Sequence, residues 1–219
     1  MKNLLAFVKL DFMSIKAYFT VKNLILIMFL SAWLSYTSDS SMIIIAIIMM
    51  FAYTYSNYPF MVGEKNGIDA LYSTLPITRK SIVVGRYIFM LILDMFAIIF
   101  SCAISCLVQT IMRRELDIKE MIMTALLILA AYVLCQIIQA PIYFKVGYGK
   151  AKFLGYLPII GFYAIVLSFN FFFKNKVTSL MEIITANQAL MTVLLVVLIA
   201  VLIYLSCKLS MRFYKKRNF

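Results

Sequence analysis

Six long stretches of this chain carry almost no charge, and their length decides most of what the chain can become. Uncharged runs of 16, 24, 24, 21 and 25 residues cover 23–38, 40–63, 121–144, 153–173 and 183–207. A sixth, 87–112, spans 26 residues and is interrupted only by Asp94. A helix needs about 20 apolar residues to cross a bilayer. Composition points the same way, with 64% apolar and 14% charged residues and a mean hydropathy of +0.97. A soluble domain is about half apolar and about a quarter charged, and a soluble fold of this length has too little interior to hide so much apolar surface. The sequence predicts an all-α membrane protein with six transmembrane helices, near 21–38, 42–62, 86–112, 121–144, 153–173 and 188–209. They follow an amino-terminal interfacial amphipathic helix over 1–20, and the whole of 1–219 forms a single transmembrane domain. No internal repeat or linker breaks it.

The same arithmetic removes whole classes of chemistry. There is no histidine, so His-type zinc sites and Ser-His-Asp triads are absent. The four cysteines, Cys102, Cys106, Cys135 and Cys207, all lie inside apolar runs without a CxxC pair, and read as small apolar packing residues. An intramembrane aspartyl mechanism needs two acids, and only Asp94 lies within a span. The chain is therefore expected to be non-catalytic. Its net charge of +12 reads as membrane topology rather than as a nucleic-acid footprint, so no nucleic acid is expected among its partners.

With a cytoplasmic amino terminus, 16 of the 21 basic residues fall in inside segments and five in outside loops. The positive-inside bias then places both termini in the cytoplasm. Within the first 20 residues, Leu5, Val8, Phe12, Ile15 and Phe19 recur at helical spacing, while Lys2, Lys9 and Lys16 line another stripe. That pattern describes a helix lying in the interface with its lysines toward lipid headgroups, or else a helix that feeds the first span. Aromatic clusters at Tyr53, Tyr55 and Tyr58 and at Phe169 and Phe171–Phe173 fit interfacial belts, and leave room for an apolar, adaptable pathway. Asp94, about 12 Å along its helix from the cytoplasmic end, is a candidate for gating or cargo contact. The other reading makes it a structural hydrogen-bonding group.

The most informative segment is the cytoplasmic loop at 63–85. Asp69 to Leu75 suits a short helical turn, Pro76 stops it, and Thr78 is placed to cap a helix starting near Arg79. A short helix exposed there with Leu71 and Leu75 on one side needs a partner to cover it. Glu64, Gly67, Leu71, Leu75, Pro76, Ile77, Thr78, Arg79, Gly85 and Arg86 together resemble the corresponding loop of ABC-2 type permeases. The stretch from Pro141 through Phe144, Lys145 and Gly147 to Lys152 is similar to a second segment of that family's compact bacterial branch. With this loop the chain is similar to the short permeases of phenol-soluble-modulin exporters and of peptide-antibiotic immunity systems.

That resemblance implies an ABC-2 exporter fold and a location in the bacterial cell membrane. It also implies pairing with a second permease subunit, the same or related, and an amphipathic peptide or other hydrophobic cargo. The chain has no GxxxxGK[ST] phosphate loop, so ATP and magnesium belong to a separate ABC-type ATPase and the chain itself holds no cofactor. The resemblance assigns Glu64, Lys65, Gly67, Asp69, Leu71, Leu75 and Pro76 to the ATPase contact, and Arg79 and Arg86 to the membrane boundary. Two other classes remain, of which the first matches the size and span count. A substrate-capture subunit of a vitamin-type importer docks through membrane helices rather than a loop, and an ion-coupled carrier needs more buried charge.

Overall fold

The computed structural model describes residues 2–16, 18–38, 41–68, 78–114, 117–154, 157–158, 160–161 and 188–217. Among these the regular structure is helical, with no strand. The helices are α1 (Lys2–Lys16), α2 (Val21–Ser38), α3 (Ser41–Lys65), α4 (Arg79–Ile111), α5 (Ile118–Val146), the single turn α6 (Tyr148–Ala151) and α7 (Gln188–Lys216). Four stretches are long and apolar enough to cross a membrane: Ile43–Lys65, Arg79–Ile111, Met121–Val146 and Val193–Lys216. A fifth candidate is the pair α1 and α2, which meet at 80°. The structure thus carries four or five span candidates where the sequence predicts six, and the expected span at 153–173 lies largely outside the described residues.

Helix α3 is the most buried of the four and packs against α2, α4 and α5, while α7 leans on α4 and α5. The core runs through Ile45 and Met49 of α3, Val83 and Phe89 of α4, and Ala140 and Phe144 of α5. Helix α4 has 33 residues, about 50 Å against a hydrocarbon thickness of about 30 Å. Its first two turns therefore extend beyond the apolar run that starts at Tyr87. Thr78 caps it in extended backbone (φ −74°, ψ 135°), its hydroxyl accepting from Ser81 N at 3.3 Å. The other end closes as Arg113 turns left-handed at φ 53° and Arg114 N donates to Gln109 O at 3.0 Å, a Schellman closure with arginine where glycine is usual.

Helix α1 packs on α3 and on the projecting start of α4. Its inward face is Phe7, Val8, Asp11 and Ile15, with Lys9 and Lys16 exposed. The expected apolar face is rotated: Phe12 lies at its edge, 37% exposed, with its ring edge-on to Phe89 at 4.9 Å. The elbow between α1 and α2 is aromatic. Tyr18 packs on Tyr58 at 4.6 Å and Phe19 stacks on Tyr55 at 4.7 Å, while Asn23 Nδ2 donates to Tyr18 O at 3.0 Å.

Two helices carry an internal proline, Pro59 in α3 and Pro141 in α5. A proline leaves the carbonyl four residues earlier without its helical donor. For Pro141 that carbonyl is Ile137 O, and Ser206 Oγ of α7 donates to it at 2.6 Å. Inside a membrane a freed carbonyl must be satisfied by a neighbouring group, and this serine supplies the donor.

Candidate functional site

One end of the bundle gathers the two segments singled out by sequence. Helix α3 ends as Gly67 takes φ +65° and its N–H donates to Glu64 O at 3.3 Å. A left-handed residue past the last turn is what a helix terminus uses to release the chain in a new direction, so Gly67 starts the loop. Nothing lies within 4 Å of where its Cβ would be; backbone conformation alone selects glycine. Lys65 is exposed beside it.

Glu64, half-buried one turn back, reaches across to the second segment. Its Oε2 accepts from Gly149 N at 2.8 Å. Between them sits Gly147, at φ +88° and ψ 163°. A Cβ on Gly147 would lie 2.8 Å from Arg217 Nη2 and 2.9 Å from Glu64 Oε1. The missing side chain is thus the space that a carboxylate from α3 and a guanidinium from beyond α7 share.

The far side of the loop is fastened to the same place. Arg79 Nη1 donates to Lys215 O at 2.8 Å and to Tyr214 O at 3.3 Å. These carbonyls belong to the last turn of α7, where no further helical N–H remains to receive them and where a cation is favoured by the helix dipole. About two turns further along α4, Tyr87 OH hydrogen-bonds Ser206 Oγ at 2.7 Å and Ser210 Oγ at 2.8 Å. Since Ser206 also satisfies Ile137 O, these bonds fasten α4, α5 and α7 together.

Arg86 is buried on α4 between two other helices. Its Nε lies 3.8 Å from Asp11 Oδ1 of α1, and its Cζ stands 4.6 Å from the Phe60 ring centre of α3. A guanidinium out of water needs both a counter-charge and a face to lie on. Asp11 and Phe60 supply them. Sequence periodicity passed over Asp11 because it treated the inward face of α1 as purely apolar.

Asp94 is fully buried deeper in the bundle. Gln136 Nε2 of α5 donates to its Oδ1 at 3.0 Å and lies 3.5 Å from Ser56 Oγ of α3, so three helices meet at one polar knot. Among the described residues its Oδ2 has no hydrogen-bond partner. The described residues hold no cluster of three or more metal-ligating groups.

Of the residues assigned to the ATPase contact, Glu64, Lys65 and Gly67 lie at this end of the bundle, while Asp69, Leu71, Leu75 and Pro76 fall outside the described residues. Arg79 and Arg86 lie in the first eight residues of α4, each engaged by another helix. At this end of the bundle the 147–149 turn holds Glu64 at the end of α3, and the last turn of α7 holds Arg79 at the start of α4. No curated protein and no solved structure matches the chain. A family model described as ABC-2 family transporter protein matches residues 6–215, and the chain belongs to that family, as a multi-pass membrane permease subunit of an ABC transporter.

Proposed function

We propose that this chain is the permease half of an ATP-driven exporter, coupled through its 64–80 loop to separate ABC-type ATPase subunits that bind ATP and magnesium. The observation that carries the reading is the fastening of that loop, by Glu64 before it to the 147–149 turn that follows α5 and by Arg79 after it to the last turn of α7. A push on such a loop is delivered to the bundle rather than lost in flexing. The ATPase contact runs through Lys65, Gly67, Asp69, Leu71, Leu75 and Pro76, with Glu64 at its near edge holding the loop from inside. The loop end of the bundle faces the cytoplasm with both termini, since the basic residues concentrate there, and α1 lies along that interface with Lys9 and Lys16 outward.

Two such permeases, identical or related, enclose the pathway and alternate between inward-open and outward-open packing. Its cargo is an amphipathic peptide or another hydrophobic molecule, in keeping with a chain rich in phenylalanine and methionine that can repack around varied shapes. Asp94 serves that pathway as a gating element or as the knot between α3, α4 and α5. The test is purification of the tagged chain in mild detergent. The reading expects an ATPase to co-purify and to be lost on Leu71→Glu with the chain still inserted. A preparation with no ATPase activity attached, or an L71E chain that keeps it, contradicts the reading.

A further inference from the structure

The last turn of α7 sits where the two ends of the loop come together. Before the loop, Glu64 is hydrogen-bonded to Gly149 N and shares the Gly147 space with Arg217, directly past α7. After the loop, Arg79 holds Lys215 O and Tyr214 O. The contacts form a closed ring: α3, the 147–149 turn, Arg217, the end of α7, Arg79, and the start of α4. Tyr214 is buried against Phe144 of α5, the rings 5.4 Å apart and nearly perpendicular, so the turn is seated in the core as well as hydrogen-bonded.

We infer that the Tyr214–Arg217 turn is the keystone of energy transmission in this permease, with Arg79 its principal positioning residue. The inference rests on the function proposed above and adds where the force goes. Displacement of the loop moves α7 with it, because Arg79 grips the end of α7 and the Tyr87–Ser206–Ser210 bonds hold α4 and α7 in register about 12 Å further along. A loop joined only to α3 and α4 would bend at Gly67. One closed at its base by α7 moves as a unit with the helix that also satisfies the Pro141-freed carbonyl of α5.

The test compares the unaltered chain, Arg79→Met and Arg79→Lys, each in lipid nanodiscs with the co-purified ATPase. Amide hydrogen exchange is followed across 208–217 without nucleotide and with MgATP. In R79M the last turn of α7 is expected to exchange about fivefold faster, as a frayed helix end does. Compared at equal amounts of bound ATPase, the MgATP-dependent change in α7 protection disappears. R79K, which still donates to a carbonyl, restores most of both. Unchanged exchange at 208–217 in R79M overturns the tie itself. Faster exchange with the MgATP response intact overturns the transmission role alone. If the unaltered chain holds no ATPase, the functional reading falls and takes the transmission role with it.

Discussion

Replacing Gly147 by alanine isolates the junction on which the loop is anchored. The residue sits at φ +88° and ψ 163°, a region essentially closed to side chains, where a non-glycine residue costs about 1–3 kcal/mol. The new Cβ would also lie 2.8 Å from Arg217 Nη2 and 2.9 and 3.0 Å from the two Glu64 oxygens, inside the ~3.5 Å at which such atoms rest comfortably. Both neighbours are side-chain ends and will move. Moving Glu64 gives up its bond to Gly149 N, about 1 kcal/mol for a half-exposed hydrogen bond. The total is about 2–4 kcal/mol, or a melting shift of about 4–16 °C for a chain of this size. Thermal inactivation in detergent, read as the monodisperse fraction surviving a heating series, measures it. Three other glycines are internal controls. Gly149→Ala meets Glu64 Oε1 at 3.3 Å with no left-handed backbone and is expected to cost less than about 1 kcal/mol. Gly67→Ala, left-handed but with open space around it, costs about 1 kcal/mol. Gly161→Ala, with nothing within 4 Å, costs nothing measurable. A G147A chain that melts with the unaltered protein, or no more readily than G149A, would refute the reasoning.

Three further substitutions probe the ties around this junction. Ser206→Ala removes the donor to Ile137 O and is expected to cost about 1–2 kcal/mol. The loss should shrink when Pro141→Ala restores the helical N–H, and equal losses in both backgrounds, read in the same heating series, would contradict the pairing. Arg86→Met leaves Asp11 buried beside an apolar chain, a loss of about 3–5 kcal/mol, whereas the double change Asp11→Leu with Arg86→Met should recover most of it. A double variant as unstable as R86M alone would show that the charges do not act as a pair. Asp94→Asn keeps a hydrogen-bonding partner for Gln136 and should leave stability within about 0.5 kcal/mol, while Asp94→Leu loses about 1 kcal/mol. If D94N melts normally yet abolishes transport, the acid itself serves the pathway.

The long elements were legible because a membrane span is written in composition: runs of more than 20 residues with almost no charge overlap α3, α4, α5 and α7, although α4 begins eight residues before its run and α7 ends nine residues after its own. Thr78 was legible too, since a cap is a local event between a hydroxyl and an N–H three residues on. The joints between helices were not. Nothing in the spacing of α1 says that Asp11 belongs to its buried face, because that follows from Arg86, 75 positions away. Tyr55 and Tyr58 read as an interfacial belt, yet they stack on Tyr18 and Phe19 at the α1–α2 elbow. Glu64 and Gly147 each stood out as parts of separate motifs. That one carboxylate fills the space left by the other's missing side chain is a tertiary fact, and no periodicity records it.

The proposed function requires the 64–80 loop, at the end of the bundle where Glu64 meets Gly149, to engage a separate ATPase. Site-specific photo-crosslinking reads that contact, with the reactive group placed at exposed Lys65 in one preparation and at exposed Lys119, near the opposite end of α5, in another. Adducts with an ATP-hydrolysing subunit from position 65, and none from position 119, are the predicted result. An adduct from position 119, or none from position 65 in cells where the transporter is active, would contradict it.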